Sequence, residues 1–149
     1  MWTRKKSIYL SKLCVIEFII LLVGLIATAP WLVNLFLSFS RAPLQGTKPY
    51  FLATIYIGAV PAAILLYSLL KLLEHIELGA VFIEKNVTYL RHISWACFAG
   101  ALIAIASSFY YIPWVFIAIA AAFMGLIVRV VKNIVGQAVE LKNESDYTI

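Results

Sequence analysis

The sequence predicts an all-α integral membrane protein with four transmembrane helices and cytoplasmic N- and C-termini. Three observations lead there. Of 149 residues, 64% are hydrophobic and 13% charged, against about 45–50% and about 25% in ordinary globular chains. A single domain of this length has no interior large enough to hide that much apolar surface, so the excess faces lipid or other protein. The apolar residues also fall into four runs, and the charges gather between and beyond them. The net charge of +5 is then a matter of orientation, and no direct nucleic-acid binding is expected.

The first span is expected over about 14–37, about 24 residues or roughly 36 Å of helix, enough for a hydrocarbon core of roughly 30 Å. Arg4-Lys5-Lys6 and the apolar run ending Ala27-Thr28-Ala29 imitate a secretory signal. The run exceeds the roughly 7–15 residues of a signal core, and Pro30 sits where peptidases tolerate it poorly. The segment therefore reads as an uncleaved anchor, kinked at Pro30. Pro43, Gly46 and Pro49 make Ser38–Tyr50 a turn-rich loop. The second span covers about 51–73, with Pro61 near mid-membrane, where a neighbour must satisfy the freed carbonyl. A polar segment, 74–92, separates it from the third span at about 93–110. A tight turn at Tyr111–Pro113 leads into the fourth span, about 114–131, with Pro113 suited to a first helical position. The tail covers 132–149.

Placing the N-terminus, the Lys71–His92 loop and the C-terminal tail on one side gathers ten of the twelve lysines and arginines there, with Lys71 and Arg129 at the span ends included. Only Arg41 and Lys48 remain opposite, so the basic side is cytoplasmic. Trp31, Tyr50, Tyr110, Tyr111 and Trp114 mark the outer interface, and Tyr89 and Trp95 the inner one. Ala96, Gly100, Ala104 and Ser107/Ser108 recur every three to four residues, as do Ala118, Ala121/Ala122 and Gly125. Such stripes let backbones approach in lipid, so the third and fourth helices should form a close hairpin. A homodimer seam is the alternative use. Ile127, Val131, Ile134, Val135, Ala138 and Leu141 then define one face of a fourth helix that extends into the cytoplasm to about Leu141.

Few residues suggest chemistry. Glu17 is the carboxylate inside the first span, and intramembrane carboxylates are often proton or cation sites. The transporter or exporter reading rests on it; the plainer reading lets Glu17 snorkel toward Lys12 or headgroups. Glu74-His75-Ile76-Glu77 and His92 lack the spacing of a metal site. Cys14 and Cys97 form no CxxC pair and read as free thiols. Asn86-Val87-Thr88 and Asn143-Glu144-Ser145 match a glycosylation acceptor by chance if they are cytoplasmic. No phosphate-binding glycine loop, nucleophile triad or paired carboxylates at depth occurs. No enzyme activity, metal or cofactor is expected. The loop and the acidic tail, with Glu74, Glu77, Glu140, Glu144 and Asp146, are instead charged surfaces able to dock a soluble partner.

The stretch Gly79-x-x-Phe82-x-x-x-Asn86-Val87-x-x-Leu90-Arg91-x-Ile93-Ser94-x-x-Cys97 resembles the central signature of a bacterial four-helix membrane family, domain of unknown function (DUF) 2975. Pro61, Tyr67, Leu72-Leu73 and Ile76 resemble that family's second helix. Leu141–Ile149 resembles its polar C-terminal ending. The resemblance implies a multi-pass protein of the bacterial cytoplasmic membrane, with no established activity and often encoded beside a small helix-turn-helix regulator. That regulator is the implied partner. Phe82, Asn86 and Arg91 join the acidic residues above as candidate partner-binding positions. They read equally as a hinge at the membrane surface, with Gly79 as a left-handed cap. The leading expectation is a regulatory anchor; a transporter using Glu17 and a structural subunit of a membrane complex are the alternatives.

Overall fold

The computed structural model describes residues 3–40, 44 and 46–147, the last two through their backbone alone. Arg41 and Pro43 of the outer loop, the Asp146 side chain, Thr148 and Ile149 lie outside the described residues. Four helices make the fold: α1 Arg4–Phe39, α2 Lys48–Glu77, α3 Glu84–Ser107 and α4 Trp114–Tyr147. Each is long and apolar enough to cross a membrane. Large apolar side chains such as Phe18, Leu21, Phe116 and Phe123 point away from the protein, which is the surface a bilayer covers.

Local chemistry explains the boundaries. Thr3 caps α1 by accepting from the Lys6 amide, as a threonine at this position does. Gly46 has φ +82° before α2, and Pro49 occupies that helix's first turn. Both α1 and α2 continue unbroken through Pro30 and Pro61. At the end of α2, the Gly79 amide bonds the Ile76 carbonyl at 3.0 Å and the Ala80 amide bonds the His75 carbonyl at 2.9 Å. With Gly79 at φ +84°, this is the paired 5→2 and 6→1 closure of a left-handed helix cap. The cap expected at Gly79 is present.

Each helix packs on its neighbours in sequence, and α1 and α4 make no close backbone contact. The closest seam joins α3 and α4. Ser94 Oγ donates to the Gly125 carbonyl at 3.0 Å. A Cβ placed on Gly125 would come within 3.1–3.2 Å of Phe98 and Cys97, so glycine sets the approach there. Ala96, Ala104, Ser107 and Ala118 of the two stripes are buried as well, but Ala96 lines a groove with Tyr56 and Pro61 of α2 and Ser107 bonds Thr54 of α2. Gly100 behaves differently. A Cβ there, or on Gly58, would meet nothing within 4 Å, and both line an apolar cavity of about 400 Å³ with Leu25, Thr54 and Trp114. Its place in the packing stripe is corrected: Gly100 leaves room rather than permitting contact.

The opposite end is closed by rings. Phe51 contacts Tyr110 at 4.9 Å and Tyr111 at 5.4 Å between centroids, and Phe36 lies against both Phe51 and Tyr111. Beneath them Ser107 Oγ donates to the Ile103 carbonyl. Thr54 therefore donates to Ser107 at 2.7 Å and accepts from Tyr110 at 2.6 Å. The chain of hydroxyls satisfies its own buried members, which lipid cannot do.

The α4 extension departs from expectation in length. It remains helical to Tyr147, about 51 Å in all, so roughly 20 Å projects past a 30 Å core. Val139 is 6% exposed, whereas Ile134 and Leu141 are 60% and 65% exposed. Of the apolar face, Val135 and Ala138 are half-buried and the other four residues are exposed. Ala118 and Gly125 fix which side of α4 meets α3, and steps of seven carry that side through half-buried Lys132 to Val139. A 3.6-residue helix repeats its facing at about that interval.

Gly125→Leu should lower the thermal midpoint in detergent by forcing Phe98 and Cys97 aside, an overpacking cost of about 1–3 kcal/mol. Gly136→Leu, where added atoms meet open space, should not lower it. Equal effects would remove the close-approach role of Gly125.

Candidate functional site

Leu78–Ile83 is the non-helical link between α2 and α3, much shorter than the polar segment suggested, because Glu74–Glu77 complete α2 and Glu84–His92 begin α3. Six residues leave few ways to satisfy their carbonyls. Asn86, in the first turn of α3, supplies them. Its Nδ2 donates to the Ala80 carbonyl at 2.8 Å and to the Val81 carbonyl at 2.7 Å. Its Oδ1 lies 3.0 Å from His75 Nδ1. The side chain is 1% exposed, and all three interactions are made at once.

That arrangement fixes the histidine. An amide nitrogen facing two carbonyls must be the donor, so its oxygen must accept. His75 Nδ1 therefore carries a hydrogen, and Nε2 is the ring nitrogen left for other work. Tyr89 lies beside the ring at 5.6 Å between centroids. The same bonds occupy both hydrogens of the Asn86 amide, so this asparagine is committed to the turn.

His75 lines a cleft of about 550 Å³ with Phe82, Ile83, Glu84 and Lys85 on one side and Val139, Lys142 and Asn143 on the other. The two stretches that carry the family resemblance thus meet across one opening. Lys85, Lys142, Glu84 and Asn143 are exposed at it, giving two cations against one carboxylate. Lys85, Lys142 and Asn143 were not among the expected site residues. Their sequence signal is weak, since helix ends at a membrane surface are commonly rich in lysine.

The expected residues distribute as follows. Asn86 is the centre of the turn, and Phe82, 48% exposed, is a wall of the cleft. Glu74 pairs with Lys71 at 3.4 Å, and Glu77 with Lys12 at 2.9 Å. Both glutamates tie helices or turns together. Bonding to Glu77 raises the Lys12 ammonium above its ordinary value. The contribution of the Lys12 charge is held at neutral pH and lost as pH rises through that raised, alkaline value. Arg91 is exposed on α3, and Glu140 and Glu144 are exposed on α4. Glu17 is exposed on α1, and Lys12 turns to Glu77 instead of to it. Five residues of helix separate the two by about 140° around the axis, so they do not share a face. Among the described residues, no three His, Cys, Asp or Glu side chains converge as a metal site would require.

Asn86→Ala should destabilise the chain by roughly 2–4 kcal/mol, since it strands two carbonyls and His75 together. Asn86→Asp should be no better, because it sets a carboxylate against the same carbonyls. Thermal unfolding in detergent, with faster amide exchange over 78–83, checks both; Arg91→Ala should move stability by less than about 0.5 kcal/mol.

Comparison with curated proteins gives no match, and comparison with solved structures gives none. Residues 8–149 match the family described as "Protein of unknown function (DUF2975)". That match covers almost the whole chain, including the Asn86 turn and both walls of the cleft, and the chain belongs to the DUF2975 family.

Proposed function

We propose that this chain is a non-enzymatic regulatory anchor of the bacterial cytoplasmic membrane, and that the helix-turn-helix regulator implied by the family resemblance binds its projecting end. The observation that carries this reading is the two-sided extension of α4. Val139, Lys142 and Asn143 face the cleft. Glu140, Leu141 and Glu144 fall about 100–200° away around the same helix and are exposed. An acidic, partly apolar strip on a rigid helix suits a basic protein surface, and a DNA-reading domain carries such a surface. The excess of lysine and arginine at this end supports a cytoplasmic placement.

Tagged full-length chain should recover the helix-turn-helix regulator encoded beside it. The chain truncated after Lys142, and the Glu140→Lys/Glu144→Lys double variant, should recover little. Equal recovery by all three would remove the α4 strip as the contact. A reporter fused after Ile149 should be active only in the form that reports the cytoplasm; the opposite result would remove the whole reading.

A further inference from the structure

We propose that the cleft between the α2–α3 turn and α4 is a binding site for a phosphate-bearing anion. The proposal rests on this end of the molecule being the functional one, though not on the identity of the protein partner.

Three kinds of group converge there. Lys85 and Lys142, both exposed, line opposite walls, and a lysine ammonium donates to a phosphate oxygen as a point charge. The start of α3, a helix of 24 residues, forms part of the same wall, and its N-cap Ile83 provides no side-chain acceptor. The Asn86 amide bonds the Ile83 carbonyl at 3.1 Å, no side chain caps the Glu84 and Lys85 amides before it, and the helix dipole adds positive potential. The third contributor is His75, which lines the same cleft. The Oδ1 of Asn86, 1% exposed, accepts the Nδ1 hydrogen, so the ring orientation is fixed. Nε2 accepts from a phosphate monoester hydroxyl in the neutral ring and donates to a phosphate oxygen in the imidazolium. Glu84 is the single opposing carboxylate, and Asn143 adds an amide.

The remaining wall narrows the ligand. Phe82, Ile83 and Val139 are apolar, and about 550 Å³ is within the usual range of about 300–1,000 Å³ for small-molecule sites. A bare ion does not need that room. A phosphate joined to a less polar body does: either the headgroup region of an anionic phospholipid, which the helix ends place nearby, or a soluble phosphate ester. The shared chemistry is a phosphate mono- or diester. Because Val139, Lys142 and Asn143 share α4 with Glu140 and Glu144, occupancy of the cleft bears on the helix that carries the proposed protein contact.

The experiment uses the full chain with His92→Gln, which leaves His75 as its sole histidine, and follows the His75 imidazole nitrogens by NMR. Inorganic phosphate and glycerol phosphate are titrated in neutral detergent; separately, nanodiscs of phosphatidylcholine are compared with nanodiscs containing phosphatidylglycerol. The Nε2 signal should respond in at least one arm. Lys85→Gln/Lys142→Gln should weaken that response about tenfold or more, while Arg91→Gln leaves it intact. A response to the soluble phosphates identifies a free ester as sufficient; a response only to phosphatidylglycerol identifies the headgroup. No response in either arm, or equal weakening by Arg91→Gln, would overturn the proposal, the latter by reducing it to diffuse surface charge. Regulator recovery by the lysine double variant separates the two readings, since it tests the α4 strip without the cleft's cations.

Discussion

The hydrogen bonds of Asn86 are the constraint on which the functional end depends. A six-residue link between two membrane helices has few ways to satisfy its own carbonyls. Gly79 provides the left-handed residue that ends α2, and Asn86 then returns from α3 to close the Ala80 and Val81 carbonyls. Its third bond reaches back to His75 on α2. One buried amide therefore joins the end of one helix, the turn and the start of the next. The position of His75, Phe82 and Lys85 around the cleft follows from that joint.

The other wall of the cleft is set far away. Gly125 allows α3 and α4 to approach closely, and Ser94 locks the register by donating to its carbonyl. From that contact the helix repeat carries one side of α4 through Lys132 to Val139, and delivers Lys142 and Asn143 to the opening. A small-residue seam near mid-membrane thus decides which tail residues face the turn. The same logic leaves Glu140, Leu141 and Glu144 outward. The two faces of the extension are consequences of one packing choice, which is why the cleft and the acidic strip share a helix.

Small residues in this chain do two different jobs. Gly125 permits contact, whereas Gly58 and Gly100 face empty volume beside Thr54 and Trp114. Both kinds satisfy the same three-to-four-residue spacing, so spacing alone cannot separate them. Apolar spacing on α4 is ambiguous for a related reason: in a membrane protein the apolar side of a helix can be the side that packs or the side that lipid covers. Burial of Val139 beside exposed Ile134 and Leu141 is invisible to hydropathy, which ranks all three as suited to an interior.

What the sequence by itself determined is whatever depends on composition and local chain chemistry. Four helices, the tight α3–α4 hairpin, the left-handed Gly79 and the resemblance to DUF2975 were all legible in it, because apolar run length, turn residues and motif spacing act locally. Tertiary structure alone decided that Asn86 would hold His75, that Glu74 and Glu77 would pair with lysines rather than stand free, and that Lys85 and Lys142 would share a cleft. Those outcomes depend on helix rotation and on contacts between residues as far apart as Lys12 and Glu77. A linear pattern carries no such angle; it is set only when the helices pack.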